Sequence, residues 1–294
     1  MTILAIYQAL EKTFQNGNTR ERLKSFLRQT RMFTPGNLFN SLSPDNSLLL
    51  SSSVISFPSF WAYVKSLNLS KEKLLTTVQK LSFLEKITMS CSTAARLPVS
   101  LANEKDQIIA FSAVPYDPKN PLHFNVLRTI YVKLTGNYNC PAKGAHWELI
   151  GFTRDPAKDL RSVGMLGLLQ ILAFLNIYES FIKEVYEFST KDLNRPPLCS
   201  SLLGATLITI ELAKTSKLNQ MIMNQRSAIN AINNVYFAIF YNIYKECREK
   251  ERQAVNSYTS IYRQIKKAAQ KDPRALVETF NQGIQEFNAA RGLL

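Results

Sequence analysis

The most apolar stretch of the chain runs from Val163 to Leu175, where nearly every position is hydrophobic. A helix that is apolar on all sides is normally buried in the core of its domain. This stretch is shorter than the roughly 20 apolar residues needed to cross a bilayer. We therefore predict a buried core helix. Gly164 and Gly167 lower its intrinsic helix propensity, and at their spacing they let another helix approach closely.

A helix-start signal precedes this stretch at Asp155-Pro156. Aspartate can cap the free N–H groups of a first helical turn, and proline is tolerated at the first helical position. The polar residues between this start and the apolar run therefore lie at the mouth of the buried helix. We expect Arg154, Lys158 and Arg161 to face solvent there.

Helical spacing of apolar residues recurs along the rest of the second half. Leu122, Val126, Ile130 and Leu134 share one face of a helix that begins near Pro121. Further helices are predicted over 178–188, 200–213, 228–245, 254–269 and 273–290. Alternating runs typical of strands are almost absent, so the predicted fold is all-α.

The chain divides into two predicted regions. Residues 108–294 form a multi-helix domain, and residues 1–107 form a smaller, mainly helical accessory region. Residues 91–107 are small and polar, which predicts a linker between the two.

The N-terminal region carries a basic amphipathic pattern. Residues 3–33 predict two helices, and the second sets an apolar stripe beside five cations: Arg20, Arg22, Lys24, Arg28 and Arg31. Such a helix can lie on a membrane or an acidic partner, or it can be an edge helix with a solvated basic face. Residues 34–57 predict irregular structure. A helix over 70–84 followed by Lys86-Ile-Thr-Met-Ser would also fit a fragment of a winged helix.

Net charge and cysteine content restrict the class of partner and the compartment, but they do not identify the partner. The 294 residues carry a net charge of +14, which suits an acidic protein surface, a phospholipid headgroup or a nucleic acid, although a solvated surface explains such charge equally well. The cysteines, Cys91, Cys140, Cys199 and Cys247, are far apart, and the chain has no CxxC motif. We therefore expect no zinc site and a reducing, cytoplasmic compartment. The apolar first ten residues lack a basic start, so we expect no secretory signal.

The usual catalytic motifs are missing from the sequence. It has no phosphate-binding Gly-x4-Gly-Lys-Ser/Thr loop and no Gly-x-Ser-x-Gly nucleophile elbow. The two histidines, His123 and His146, lack a motif partner, and His146 beside Trp147 is interpreted as a packing residue. We expect no self-contained active site, no cofactor and no metal.

The segment 147–175 resembles the signature of the ELMO domain, approximately W-x3-G-F-Q, then P-x-T-D-F-R-G, then G-x-L-G-L. The spacing is kept throughout, and four positions differ from the family: Thr153, Lys158, Leu160 and Ser162. Ten positions match it: Trp147, Gly151, Phe152, Pro156, Asp159, Arg161, Gly164, Leu166, Gly167 and Leu168. The resemblance implies that residues 108–294 are an ELMO domain.

The resemblance also implies a function. The ELMO-domain family includes GTPase-activating proteins for Arf/Arl-family small GTPases, in which the signature arginine is needed for activity. That residue corresponds to Arg161, which would be supplied in trans, and Asp159 would orient it or cap its helix. The alternative is that Arg161 only pairs with Asp155 or Asp159 to close the helix start.

A second interpretation is a non-catalytic subunit or scaffold of a cytoskeletal, ciliary or axonemal assembly. Tubulin surfaces are acidic, and the partner-binding cations would be the stripe Arg20–Arg31 together with a C-terminal run that includes Arg263, Lys266 and Lys267. This interpretation places the protein at the cytoskeleton or in a cilium or flagellum. Nucleic acid is not expected as a partner, and membrane contact is expected to be peripheral at most.

Overall fold

A computed structural model describes residues 54–67, 69, 96–192, 195–252 and 258–292, apart from the side chains of 250–252. Across these ranges the regular structure is helical and contains no strand, as predicted. The first α-helices are α1 Phe57–Ser66, α2 Val99–Phe111, α3 Pro121–Thr135, α4 Pro156–Asp159, α5 Gly164–Ile177 and α6 Glu179–Thr190. They are followed by α7 Leu198–Ala213, α8 Asn219–Gln225, α9 Ala228–Arg252, α10 Tyr258–Lys271 and α11 Pro273–Ala289. Two short 3₁₀-helices, Ala145–Ile150 and Leu160–Ser162, flank α4.

Helix α3 shows how local signals define an element. The Asn120 side chain accepts hydrogen bonds from the amides of Leu122 and His123, and Pro121 occupies the first helical position. The helix ends at Gly136 in the left-handed conformation. Its predicted apolar face, Leu122, Val126, Ile130 and Leu134, is buried.

Helix α5 lies at the centre of the molecule. Every residue from Gly164 to Leu175 is buried, and α1, α2, α3, α6, α7 and α9 surround it. The Phe174 ring lies 4.5 Å from that of Phe237 and 5.5 Å from that of Phe240, measured between ring centroids. The prediction of a buried core helix is confirmed.

The start of this helix differs from the prediction. Pro156 does begin a helix, but α4 is only four residues long, and the segment 156–162 meets α5 at an angle of 101°. The Asp155 side chain makes no capping hydrogen bond; its carboxylate instead accepts a hydrogen bond from Lys143 Nζ at 2.9 Å. The predicted aspartate cap is therefore wrong, because a long-range ion pair takes the carboxylate.

The predicted linker over 91–107 is also wrong from residue 99 onward, because helix α2 begins at Val99. Three of its polar residues contact distant parts of the chain. The Glu104 carboxylate accepts hydrogen bonds from the amides of Ala228 and Ile229 at the start of α9. Lys105 Nζ donates to Thr215 O and Asn219 Oδ1, and Gln107 Nε2 donates to Val64 O. The polar side chains of α2 therefore connect it to segments that are distant in the sequence.

Helix α1 packs into the same hydrophobic core as the later helices. Phe60, Tyr63 and Val64 are buried, and the Ile55 amide donates to Thr129 Oγ1 at 2.9 Å. The domain division after residue 107 stays a prediction. The stripe Arg20–Arg31, the helix over 70–84 and the winged-helix interpretation fall outside the described residues.

Among the described helices, no single one has both the length and the apolar character needed to cross a membrane. The bent pair 156–162 and 164–177 meets those requirements only when its parts are taken together. Within the same ranges, no group of three or more His, Cys, Asp or Glu side chains is arranged to hold a metal ion. The described cysteines, Cys140, Cys199 and Cys247, are buried, and no disulfide joins them to one another.

Candidate functional site

The first half of the signature builds a buried anchor. Trp147 is fully buried, and its Nε1 donates to Pro141 O at 3.1 Å. Its ring contacts those of Tyr131 and Phe152, with centroids 5.3 and 6.1 Å apart. The Phe152 amide donates to Trp147 O, which closes the turn. These signature residues fix the backbone that leads into the polar residues 153–162.

Two signature glycines allow helix α7 to come close. Gly151 has a φ of 92°, and a Cβ atom there would lie 2.8 Å from Leu198 N at the start of α7. A Cβ on Gly167 would lie 2.9 Å from Leu203 Cδ2, also on α7. Val163 Cγ2, of the same segment, would lie nearer still, at 2.7 Å. The atoms nearest to a Cβ on Gly164 would be backbone atoms of Ser112 and Val114, just after α2.

Asp159 holds the polar turn together from within. The carboxylate is buried, and its Oδ2 accepts hydrogen bonds from Thr153 N at 2.7 Å and Thr153 Oγ1 at 2.9 Å. Burial raises the pKa of the Asp159 carboxyl above its ordinary value, and the two bonds from Thr153 offset part of this rise. Thr153 differs from the ELMO signature, and its hydrogen-bond partner Asp159 matches that signature.

Arg161 lies on the 3₁₀-helix Leu160–Ser162 with its side chain exposed. The adjacent Leu160 is only 1% exposed and anchors this turn in the core. Arg161 forms no hydrogen bond or ion pair with the part of the chain that the structure describes. Neither Asp155 nor Asp159 pairs with Arg161 in the described residues: Asp155 pairs with Lys143, and Asp159 accepts hydrogen bonds from Thr153. Arg161 is fixed at its backbone, and its guanidinium is open to solvent.

More cations and one exposed leucine belong to the same segment. Arg154 and Lys158 are exposed, as predicted, and Arg154 Nε pairs with Glu148 at 3.1 Å. Leu149 is 56% exposed although it lies between the buried residues Trp147 and Ile150. Sequence reasoning missed Leu149 and Lys143. The position of Leu149 in the three-residue spacer of the signature could have indicated its exposure. Because Trp147 and Ile150 both point into the core, the side chain of Leu149 between them faces outward.

The histidines are packing residues. His146 Nε2 lies 3.0 Å from Pro141 O, and its ring contacts Tyr131 and Trp147, which confirms its interpretation. His123 is buried, and its Nδ1 accepts a hydrogen bond from the Asp117 amide. Burial lowers the pKa of His123 to about 4, so it is neutral near pH 7.

Only part of the predicted C-terminal basic patch is exposed and free to contact a partner. Arg263 and Lys267 are exposed on α10, whereas Lys266 pairs with Glu211 at 2.8 Å. The structure does not bring these cations into contact with Arg161. They lie on a different helix from the signature residues.

Comparison with known proteins agrees with the geometry of the signature. The ELMO/CED-12 family model matches residues 106–262. ELMO domain-containing protein 3 from Mus musculus is 28% identical over 241 residues, covering 80% of this chain and 63% of the relative. The Homo sapiens protein of the same name is 29% identical over 188 residues, covering 63% and 49%. ELMO domain-containing protein B from Dictyostelium discoideum is 22% identical over 190 residues, covering 64% and 66%.

The chain spans about half to two thirds of the length of these mouse and human relatives. No solved structure matches the chain significantly.

Proposed function

Because this chain belongs to the ELMO/CED-12 family, we propose that it is a GTPase-activating protein for Arf/Arl-family small GTPases and supplies Arg161 in trans. One observation carries the proposal. Arg161 is exposed and unpaired within the described ranges, on a turn whose backbone is fixed by Leu160 and by the Asp159–Thr153 hydrogen bonds.

The chemistry of GTP hydrolysis suits such a residue. Water attacks the γ-phosphorus, the bond to the β–γ bridging oxygen breaks, and negative charge is spread over the phosphoryl oxygens in the transition state. A guanidinium is always charged and presents a planar fork of donors to two oxygens at once. An arginine supplied in trans raises the rate by about 10³–10⁵. The protein needs no cofactor or base of its own for this role.

The form of the turn supports the same role. An internal ion pair would have to be broken before Arg161 could reach a partner, and no such pair exists among the described residues. Lys143 and Arg154 are balanced by Asp155 and Glu148. Exposed Lys158 has no ion pair in the described ranges and adds positive charge beside Arg161, which favours approach to the phosphates of a bound nucleotide. Exposed Leu149 offers an apolar contact beside them.

The test is single-turnover hydrolysis of GTP by a panel of preloaded Arf and Arl GTPases. We expect the wild-type protein to stimulate at least one of them. Arg161→Ala should lose nearly all of the stimulation, a fall of about 10³-fold or more. Arg161→Lys should recover little, because a point charge cannot replace the bidentate fork.

The matched control is Arg274→Ala, which removes another exposed arginine without a side-chain ion pair in the described ranges. It should stimulate as the wild type does, and all three variants should keep the wild-type circular dichroism spectrum. Stimulation that survives in Arg161→Ala would exclude the arginine from the reaction. Absence of stimulation across the panel, with stable co-purification of a cytoskeletal complex, would favour the non-catalytic subunit instead.

A further inference from the structure

The outward face of helix α10 carries charge of a single sign. From Tyr258 to Lys271 the sequence contains no acidic residue. Its inward face buries Ile261, Tyr262, Ile265 and Ala269. Arg263, Lys267 and Lys271 are exposed, and none of the three forms an ion pair within the described ranges.

Neighbouring elements extend this surface. Lys217, after α7, donates a hydrogen bond to Gln270 O, and exposed Lys214 lies three residues before it. Arg274 is exposed at the start of α11. We call the set Lys214, Lys217, Arg263, Lys267, Lys271 and Arg274 the α10 basic face.

The nearby carboxylates are already engaged. Glu211 pairs with Lys266 at 2.8 Å. Asp272 accepts hydrogen bonds from the Arg274 and Ala275 amides as the cap of α11. Within the described ranges, none of Arg263, Lys267, Lys271 and Arg274 forms an ion pair with these carboxylates. Asp272 still carries its charge at one end of the face, so the cations outnumber the acids there.

We propose that the α10 basic face binds the surface of an anionic phospholipid bilayer. An open, shallow depression lies on it, lined by Ser260, Arg263, Gln264 and Lys267. It brings the two cations Arg263 and Lys267 to one depression on the surface. The proposal is independent of Arg161 and of GTPase activation.

The make-up of the face favours a membrane over an acidic protein. Stable protein interfaces are centred on buried aromatic or aliphatic anchors. The large hydrophobic side chains that are exposed in the described ranges are Val54, Val99, Tyr138, Leu149 and Ile177, and none belongs to this face. Electrostatic adsorption to a bilayer needs no such anchor, because each Lys or Arg near an anionic leaflet strengthens binding about fivefold.

The experiment is co-sedimentation of the whole protein with vesicles of phosphatidylcholine, with or without phosphatidylserine. We expect binding only when phosphatidylserine is present. Binding should weaken as salt is raised, since the screening length shrinks from about 10 Å at 0.1 M to about 3 Å at 1 M. The double variant Arg263→Glu/Lys267→Glu should bind at least about 25-fold more weakly.

A matched double variant, Lys119→Glu/Lys191→Glu, makes the same change in net charge at two exposed lysines on other elements. It should lose about twofold at most, and all proteins should share one thermal unfolding midpoint. Equal losses in the two double variants would overturn the proposal, because net charge would then explain binding. Failure to bind phosphatidylserine vesicles would also overturn it, and binding to polyglutamate in its place would assign the face to an acidic protein.

Discussion

At the scale of single residues, Gly164 governs the geometry of the signature. It has a φ of 56°, in the left-handed region that residues with a side chain rarely adopt. Its backbone lies so close to the preceding loop that a Cβ atom would meet Ser112 O at 2.4 Å and Val114 O at 2.6 Å. The next amide, Met165 N, donates to Val114 O. Gly164 therefore sets both the turn into α5 and its contact with the chain after α2.

Replacing Gly164 with alanine should be severely destabilising. The left-handed conformation costs about 1–2 kcal/mol for alanine, and the steric overlap adds about 1–3 kcal/mol. Gly136→Ala is the control, because Gly136 has a similar φ of 71° but a Cβ atom there would meet nothing within 4 Å. Urea unfolding should show only the smaller conformational cost in Gly136→Ala. Equal losses in the two variants would contradict the close contact at Gly164.

At the scale of elements, α2 positions other helices through polar contacts. Glu104 reaches from α2 to the first turn of α9 and takes two amides, at 2.9 and 3.1 Å, that lack partners inside their own helix. A carboxylate is favoured at this end of a helix by the helix dipole. A side chain from one helix thus caps another across more than 120 residues of sequence.

Glu104→Ala should lower the free energy of unfolding by about 1–2 kcal/mol, the usual loss when a helix cap is removed. Glu104→Gln should lose less, because an amide oxygen still accepts a hydrogen bond. The measurement is chemical denaturation followed by far-ultraviolet circular dichroism. Glu278→Ala, at an exposed acid of α11, should change little. A neutral Glu104→Ala variant would show that the cap contributes no stability.

At the scale of the whole molecule, α1 shares one hydrophobic core with the ELMO domain. Phe60 on α1 is fully buried and contacts the Phe111 ring of α2 at 5.9 Å between centroids. The chain has two tryptophans, Trp61 on α1 and Trp147 in the signature. They allow the two predicted regions to be followed separately.

Phe60→Ala should destabilise the signature region as well as α1. Removing a buried phenylalanine side chain costs about 3–5 kcal/mol, and a shared core transmits that loss to the whole cooperative unit. The measurement is Trp147 fluorescence in a Trp61→Phe background during denaturation. The midpoint should fall with Phe60→Ala. An unchanged Trp147 midpoint would instead support an independent N-terminal region.

The sequence by itself determined the features that depend on residues close together along the chain. Helical periodicity predicted α3 from about Pro121, and the apolar run predicted the buried α5. Exposure of Arg154, Lys158 and Arg161 also followed from the sequence, because charged side chains are almost never buried without a partner. The ten matching positions between Trp147 and Leu168, with their spacing kept, indicated the family.

Only the tertiary structure decided where the polar side chains find their partners. The Asp155-Pro156 pair predicted a cap, yet Lys143 takes the aspartate, and Thr153 takes Asp159. The 101° turn before α5 depends on carbonyls of the loop after α2, which helical periodicity cannot detect. Helix α2 resembled a linker because its charged residues bind distant helices. Hydrophobic periodicity reports the face that a helix buries, whereas hydrogen bonds and ion pairs across the fold depend on which segments become neighbours.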